Sequence, residues 1–154
     1  MDEAKRNFLE HEFVELLMDL RPMAKGKWGV MNGQQMVEHM SEAFRNASGK
    51  LVQPMVTPPE KLESYKAFAM SDKPFKENTK NSLMKDTPPE LTCRNMTTAL
   101  NELASEIKYF FEVYDANPSL TNKNPFFGEL NFSEQVALLY KHAVHHARQF
   151  ELME

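Results

Sequence analysis

Apolar residues recur along this chain at three- and four-residue steps, and proline and glycine mark the breaks between the runs. From Ala4 to Leu20, Phe8, Leu9, Phe13, Leu16, Leu17 and Leu20 fall on one stripe, which predicts a helix burying one face, and Pro22 and Gly26 close it. In "NGQQMVEHMSEAFRNASG", Asn32 can cap a helix, with Gln35 at the reciprocal position of a capping box. Met36, Met40, Ala43, Phe44 and Ala47 mark the apolar face of this second helix, about 33–47, until Gly49 stops it. The segment from Leu51 to Leu91 carries Pro54, Pro58, Pro59, Pro74, Pro88 and Pro89, and only "PEKLESYKAFAM" offers a short helical pattern, so it reads as a long excursion. A third helix, about 94–114, turns Leu100, Leu103, Ile107, Phe110, Phe111 and Tyr114 inward and ends before Asn117-Pro118. The fourth starts after Asn131, where Glu134 completes a capping box, and runs to about Leu152. No β-alternating run of useful length is present. The pattern predicts an all-α single domain over residues 1–154: a four-helix bundle with a long crossover between helices 2 and 3, a fold that holds metal and cofactor sites on facing helices.

Composition adds exclusions. A chain of 154 residues, 42% hydrophobic and 26% charged, reads as one soluble globular domain. Eighteen basic residues against twenty-two acidic ones give a net charge of -4, and the basic ones are scattered singly, so no nucleic-acid partner is expected. No apolar run approaches twenty residues and the N-terminus is not signal-like, so no membrane partner is expected either. With one cysteine, Cys93, no internal disulfide can form, which points to the cytoplasm.

The candidate chemistry lies in "YKHAVHHARQF", residues 140–150, where three of the five histidines cluster. Helical phase separates them. His142 and His146 share the apolar side with Gln135, Leu138 and Leu139, whereas His145 aligns with Lys141 and Arg148 and is expected to be solvated. An H-x-x-x-H pair on one face can offer two imidazole nitrogens to one ion; the alternative is a pair of hydrogen-bonded histidines at the edge of the core. His39, bordering the Met36/Met40 stripe of the second helix, is the candidate third ligand, with the same structural alternative. Three neutral imidazoles would hold a divalent ion and leave room for water or substrate. Glu38 and Gln35 are candidates to orient His39, and Gln149 or Gln135 to orient the pair.

These residues carry a family resemblance. His39 in "QQMVEHM", His142 and His146 in "YKHAVHH", and the run "NPFFGELNFSEQVALLYKHAVHHARQF" resemble the DinB/YfiT-like superfamily, including its subgroup with a "PxFGxL" turn before the last helix and "HHxRQF" at its end. The likeness is concentrated in residues 124–150 and 27–47, under half of the chain, and departs from the subgroup at Asn124, where a histidine precedes the proline. The resemblance implies a metal-binding four-helix bundle with His39, His142 and His146 as ligands, a zinc or nickel ion, and a homodimer. It also implies a metal-dependent thiol S-transferase or hydrolase acting on a small molecule, possible thiol substrates being of low molecular weight. The alternative from another class is a non-catalytic, metal-stabilised bundle acting in oligomerisation or partner binding.

Other residues have plainer readings. His11, beside Glu12 and Glu15, is expected on a solvated edge. Cys93 precedes the third helix, whose N-terminus could lower a thiol's pKa, though a lone cysteine without a base is more simply an inert packed residue. Trp28, Phe126 and Phe127 could line the mouth of the site, and Tyr140 could offer it a hydroxyl.

Overall fold

The computed structural model describes residues 1–78 and 87–154; residues 79–86 of the expected excursion lie outside the described residues. The described chain is mostly helical, with five helices and one two-stranded antiparallel hairpin. The helices are α1 (3–17), α2 (Gly33–Ser48), α3 (Leu62–Met70, entered through a 3-10 turn at Pro59–Lys61), α4 (Met96–Ala116) and α5 (Phe132–Gln149). The hairpin strands, β1 (Asn122–Asn124) and β2 (Gly128–Leu130), pair Asn122 with Leu130 and Asn124 with Gly128.

The caps form as the sequence directs. Asn32 accepts a hydrogen bond from Gln35 N at 2.9 Å while Gln35 Oε1 accepts from Asn32 N at 2.8 Å. Asn131 and Glu134 make the same reciprocal pair at the start of α5, and Asn95 caps α4 through Thr98 N. These bonds satisfy orphan amides of each first turn. At its end, α2 passes into Gly49 at φ 92°, a left-handed conformation that a side chain would strain.

The first helix is not uniform. Its middle turn, Phe8–Glu12, is a π-helix in which Phe13 N–H reaches Phe8 O. Leu9, Phe13 and Leu17 are spaced four apart and all buried, so one apolar face continues through the widened turn as it would along an ordinary helix.

α1 packs on α4 and α5, and α2 packs along α4 and against α5. Between them lies a continuous core including Phe13, Phe44, Leu103, Phe110 and Tyr114. Tyr114 has its ring stacked 5.2 Å from that of Phe132, and its hydroxyl donates to Ala47 O at 2.8 Å, so its polar tip is satisfied inside the core. A smaller cluster, Ala69, Leu130 and Leu138 with Met70, Phe75 and Phe127, fastens α3 and the hairpin onto α5. No described helix is long and apolar enough to cross a membrane.

The hairpin corrects the expectation of a purely helical chain. Asn124 Oδ1 accepts from the amides of Phe126 and Phe127 at 2.8 and 3.1 Å, folding "NPFFG" into a turn that Gly128 completes at φ 81°. The carbonyls of Pro125 and Phe126 then receive Val56 N and the Thr57 hydroxyl from the excursion. Three-residue strands are too short to leave an alternating pattern in the sequence.

Candidate metal centre

Two helices build the site. On α2, His39 borders the buried Met36 and Met40; on α5, His142 and His146 are one turn apart on the side facing α2. The ring centres of His39 stand 5.0 Å from those of both His142 and His146, which are themselves 4.7 Å apart. One ligand nitrogen from each lies within 4.8 Å of the others, so the three residues could hold a metal ion. His39 Nε2 and His142 Nε2 are 3.0 Å apart, a hydrogen bond in which one ring donates to the other, as in the structural alternative for these residues; the distance is also close to the separation of about 3.3 Å between tetrahedral ligands at zinc–nitrogen distances. The structure therefore brings together all three histidines expected from the sequence.

Their protonation suits cation binding. Burial, with a smaller contribution from His145, lowers the His39 pKa to about 4. Burial also pushes His142 and His146 well below the ordinary value, and repulsion from neighbouring imidazoles adds to it. All three rings are neutral near pH 7, each with a lone pair to offer.

Which nitrogen His146 offers follows from its neighbour. Gln149 stands 2.7 Å from the Trp28 carbonyl on one side and 2.7 Å from His146 Nδ1 on the other. A carbonyl only accepts, so Nε2 of the amide faces Trp28 and Oε1 faces the ring; Nδ1 must then carry the proton, leaving the Nε2 lone pair of His146 for an ion. Of the four residues considered as orienting partners, Gln149 alone takes that role through a hydrogen bond. Glu38 instead accepts from Thr92 N, the Thr92 hydroxyl, Cys93 N and Gln34, stapling the start of α4 to α2. Burial pushes its carboxyl up, but these hydrogen bonds outweigh that and hold its pKa below the usual range. Gln35 serves the α2 cap and Pro89 O, and Gln135 donates to Asn122 O.

His145 corrects its expectation. It is half-buried, not solvated, with Trp28 at 5.3 Å and Phe75 at 5.8 Å between ring centres. Burial lowers its pKa, while a hydrogen bond to the Phe75 backbone raises it. The phase of α5 places His145 away from His142, but two other segments fold over that side: the loop 24–32 and the strap 68–78. Phe75 also meets His142 edge-on at 6.1 Å and Phe127 at 6.4 Å, so an aromatic rim of Trp28, Phe75 and Phe127 surrounds this side of the histidines. Sequence reasoning anticipated Trp28 and Phe127 there and missed Phe75, which belongs to no periodic pattern.

Lys141 fastens the strap. Its ammonium donates to Phe68 O at 2.6 Å, to Ser71 Oγ at 3.4 Å and to Lys73 O, and sits 4.3 Å over the Phe68 ring. Lys141→Met keeps the apolar stem and removes these bonds. Hydrogen bonds to a charged donor are each worth about 1.5–3 kcal/mol, so amide exchange across 68–75 is expected to accelerate at least about tenfold with the rest of the chain unchanged. Peptide-resolved exchange measurements check this.

The remaining candidates lie elsewhere. Tyr140 packs edge-on against Phe8 at 5.3 Å under Lys5, on the α1 side of α5. His11 is exposed beside Glu10. Cys93 is buried, and its thiol donates to Glu102 at 3.2 Å; burial and that carboxylate raise its pKa, contrary to the activation a helix N-terminus would give. Two surface clefts of about 310 and 390 Å³ are lined by no histidine, and in the first Arg45 and Lys50 are already paired with Glu102 and Glu106. The chain matches no protein-family model, no curated protein and no solved structure.

Proposed function

We propose that this chain is a divalent-metal protein of the DinB/YfiT-like kind, a four-helix bundle in which His39, His142 and His146 bind zinc or nickel to activate a thiol or a water. The observation that carries the reading is the convergence of three neutral imidazoles from α2 and α5 within 4.8 Å. Among the described residues no carboxylate or thiolate joins this group, so an ion held there keeps coordination positions for an exogenous ligand. Such an ion would lower the pKa of a bound water or thiol and polarise an electrophile. Imidazole ligands suit zinc, nickel and copper, in keeping with the expected ions. A cytoplasmic homodimer acting on a small molecule, such as a low-molecular-weight thiol, completes the reading.

Elemental analysis of protein purified without a histidine tag is the direct test. About one zinc or nickel per chain is the expected result for a three-histidine site; a chain that remains metal-free after incubation with either ion at neutral pH would refute the reading. Transferase assays with bacillithiol, mycothiol and glutathione, and hydrolase assays with simple esters, then separate catalysis from structure. If all are blank and a chelator lowers only the melting temperature, the metal serves stability alone.

A further inference from the structure

The loop joining α1 to α2 folds around one side chain, Gln149, which is 3% exposed. Lys27 N donates to the Gln149 main-chain carbonyl at 2.8 Å, and Gln149 Nε2 donates to the Trp28 carbonyl at 2.7 Å. The loop is closed at its base by a bridge between Lys25 and Asn32 and by Gly33 N to Ala24 O at 2.9 Å. Its glycines are spaced to fit the glutamine. A Cβ at Gly26 would stand 2.8 Å from Gln149 Cγ, and one at Gly29 would stand 2.8 Å from Gln149 Nε2. Gly29 also has φ +80°, where any side chain is strained. The amide is thus clamped on three sides, and its one remaining oxygen meets His146 Nδ1 at 2.7 Å.

A neutral imidazole left to itself has two tautomers and can rotate about its last torsion, so its lone pair faces an ion only part of the time. The clamp removes both freedoms from His146. Resting on the three-histidine reading of the site, we propose that Gln149 is a positioning residue for the metal: held by the 24–32 loop, it fixes the ring and tautomer of His146 and makes that loop part of the metal centre.

Two measurements test this: zinc affinity by competition with a chromophoric chelator, and histidine ¹⁵N NMR on the metal-free protein. Wild-type His146 is expected as the Nδ1–H tautomer. Gln149→Met is expected to weaken zinc binding about 10- to 100-fold, the usual cost of losing such a partner, and to let His146 populate the other tautomer. Gln149→Glu, whose carboxylate still accepts from Nδ1–H but cannot donate to the Trp28 carbonyl, is expected to keep the Nδ1–H tautomer and to recover only part of the affinity. Gly29→Ala touches no ligand but drives a methyl into the amide, so it too is expected to weaken zinc binding, and it keeps the test open if the methionine variant does not fold. Zinc affinity within about twofold of wild type in both Gln149→Met and Gly29→Ala, or an Nε2–H tautomer at wild-type His146, would overturn the proposal. A wild-type chain with the Nδ1–H tautomer that takes up no zinc would instead refute the metal reading while leaving Gln149 as the residue that orients His146.

Discussion

Replacing His142 and His146 together by alanine is expected to abolish zinc binding while leaving a folded, helical chain. Both residues sit on α5 with their ring centres 4.7 Å apart, and the substitution leaves His39 alone on α2 as an imidazole ligand. One neutral imidazole binds zinc no better than a surface histidine does, so the loss is of the site and not of a fraction of it. Stability reports the same loss. A ligand that binds only the folded chain stabilises it by about 4 kcal/mol at a thousandfold excess over its Kd. At roughly 2–4 °C per kcal/mol for a domain of this size, zinc is expected to raise the melting temperature of the wild type by about 8–16 °C. It is expected to leave that of the double variant unmoved. The variant should nonetheless fold without metal, because the main core, from Phe13 through Phe44 to Tyr114, includes neither histidine. Calorimetric scans with and without zinc, paired with metal analysis, give the answer; stoichiometric zinc in the double variant would show that the ligands lie elsewhere.

What the sequence disclosed about this site follows from the range of each physical signal. Caps are local, and Asn32 with Gln35 and Asn131 with Glu134 form the reciprocal bonds that their three-residue spacing allows. Helical phase is nearly as local, and it was enough to pair His142 with His146 and to turn His39 toward the interior. It failed for His145. A single helix divides its surroundings into inside and outside, but the outer side of α5 at this level is covered by Trp28 and Phe75, 117 and 70 positions away along the chain, in segments with no regular structure. The π-turn at Phe8–Glu12 leaves no mark in the sequence, because its apolar spacing is also compatible with an ordinary helix. The hairpin is not legible in the sequence because its order comes from the Asn124 side chain and from docking against Val56 and Thr57, not from alternation. The same distinction separates Gln149 from its rivals. Spacing nominated four polar residues as partners for the histidines, and only the fold of the 24–32 loop, packed against Gln149 through Gly26 and Gly29, selects one.

Lowering the pH from about 6.5 toward 4 is expected to destabilise the metal-free chain progressively, and more steeply than in the His142→Ala/His146→Ala variant. The sign follows from the direction of the shifts. Unfolded histidines take up a proton near pH 6.5, whereas burial lowers His39 in the folded chain to about 4 and holds His142 and His146 well below 6.5. Between those limits the unfolded state binds more protons than the folded one, so stability is fully present above about pH 6.5 and is lost as pH falls toward the folded values. Each titrating group contributes a slope of up to about 1.4 kcal/mol per pH unit; the double variant loses two of these groups and keeps His39, while His145, also lowered by burial, contributes to both chains. The carboxylates contribute in a lower window: Glu38, Glu106 and Glu134, whose folded pKa values are depressed, lose their stabilisation only below about pH 4.5. Urea denaturation at pH 7.5, 6.5 and 5.5 stays above the carboxylate window and reads the histidines, and equal dependence of stability on pH in wild type and double variant would contradict buried, neutral histidines. The same depressed values govern the metal. While the chain stays folded, its ligands remain unprotonated well below pH 6.5, so proton competition for an ion at this centre is expected to begin at lower pH than at three solvent-exposed histidines. Release of bound zinc near pH 6 from a chain that is still folded would show that the imidazoles titrate normally and that the site is open to water on all sides.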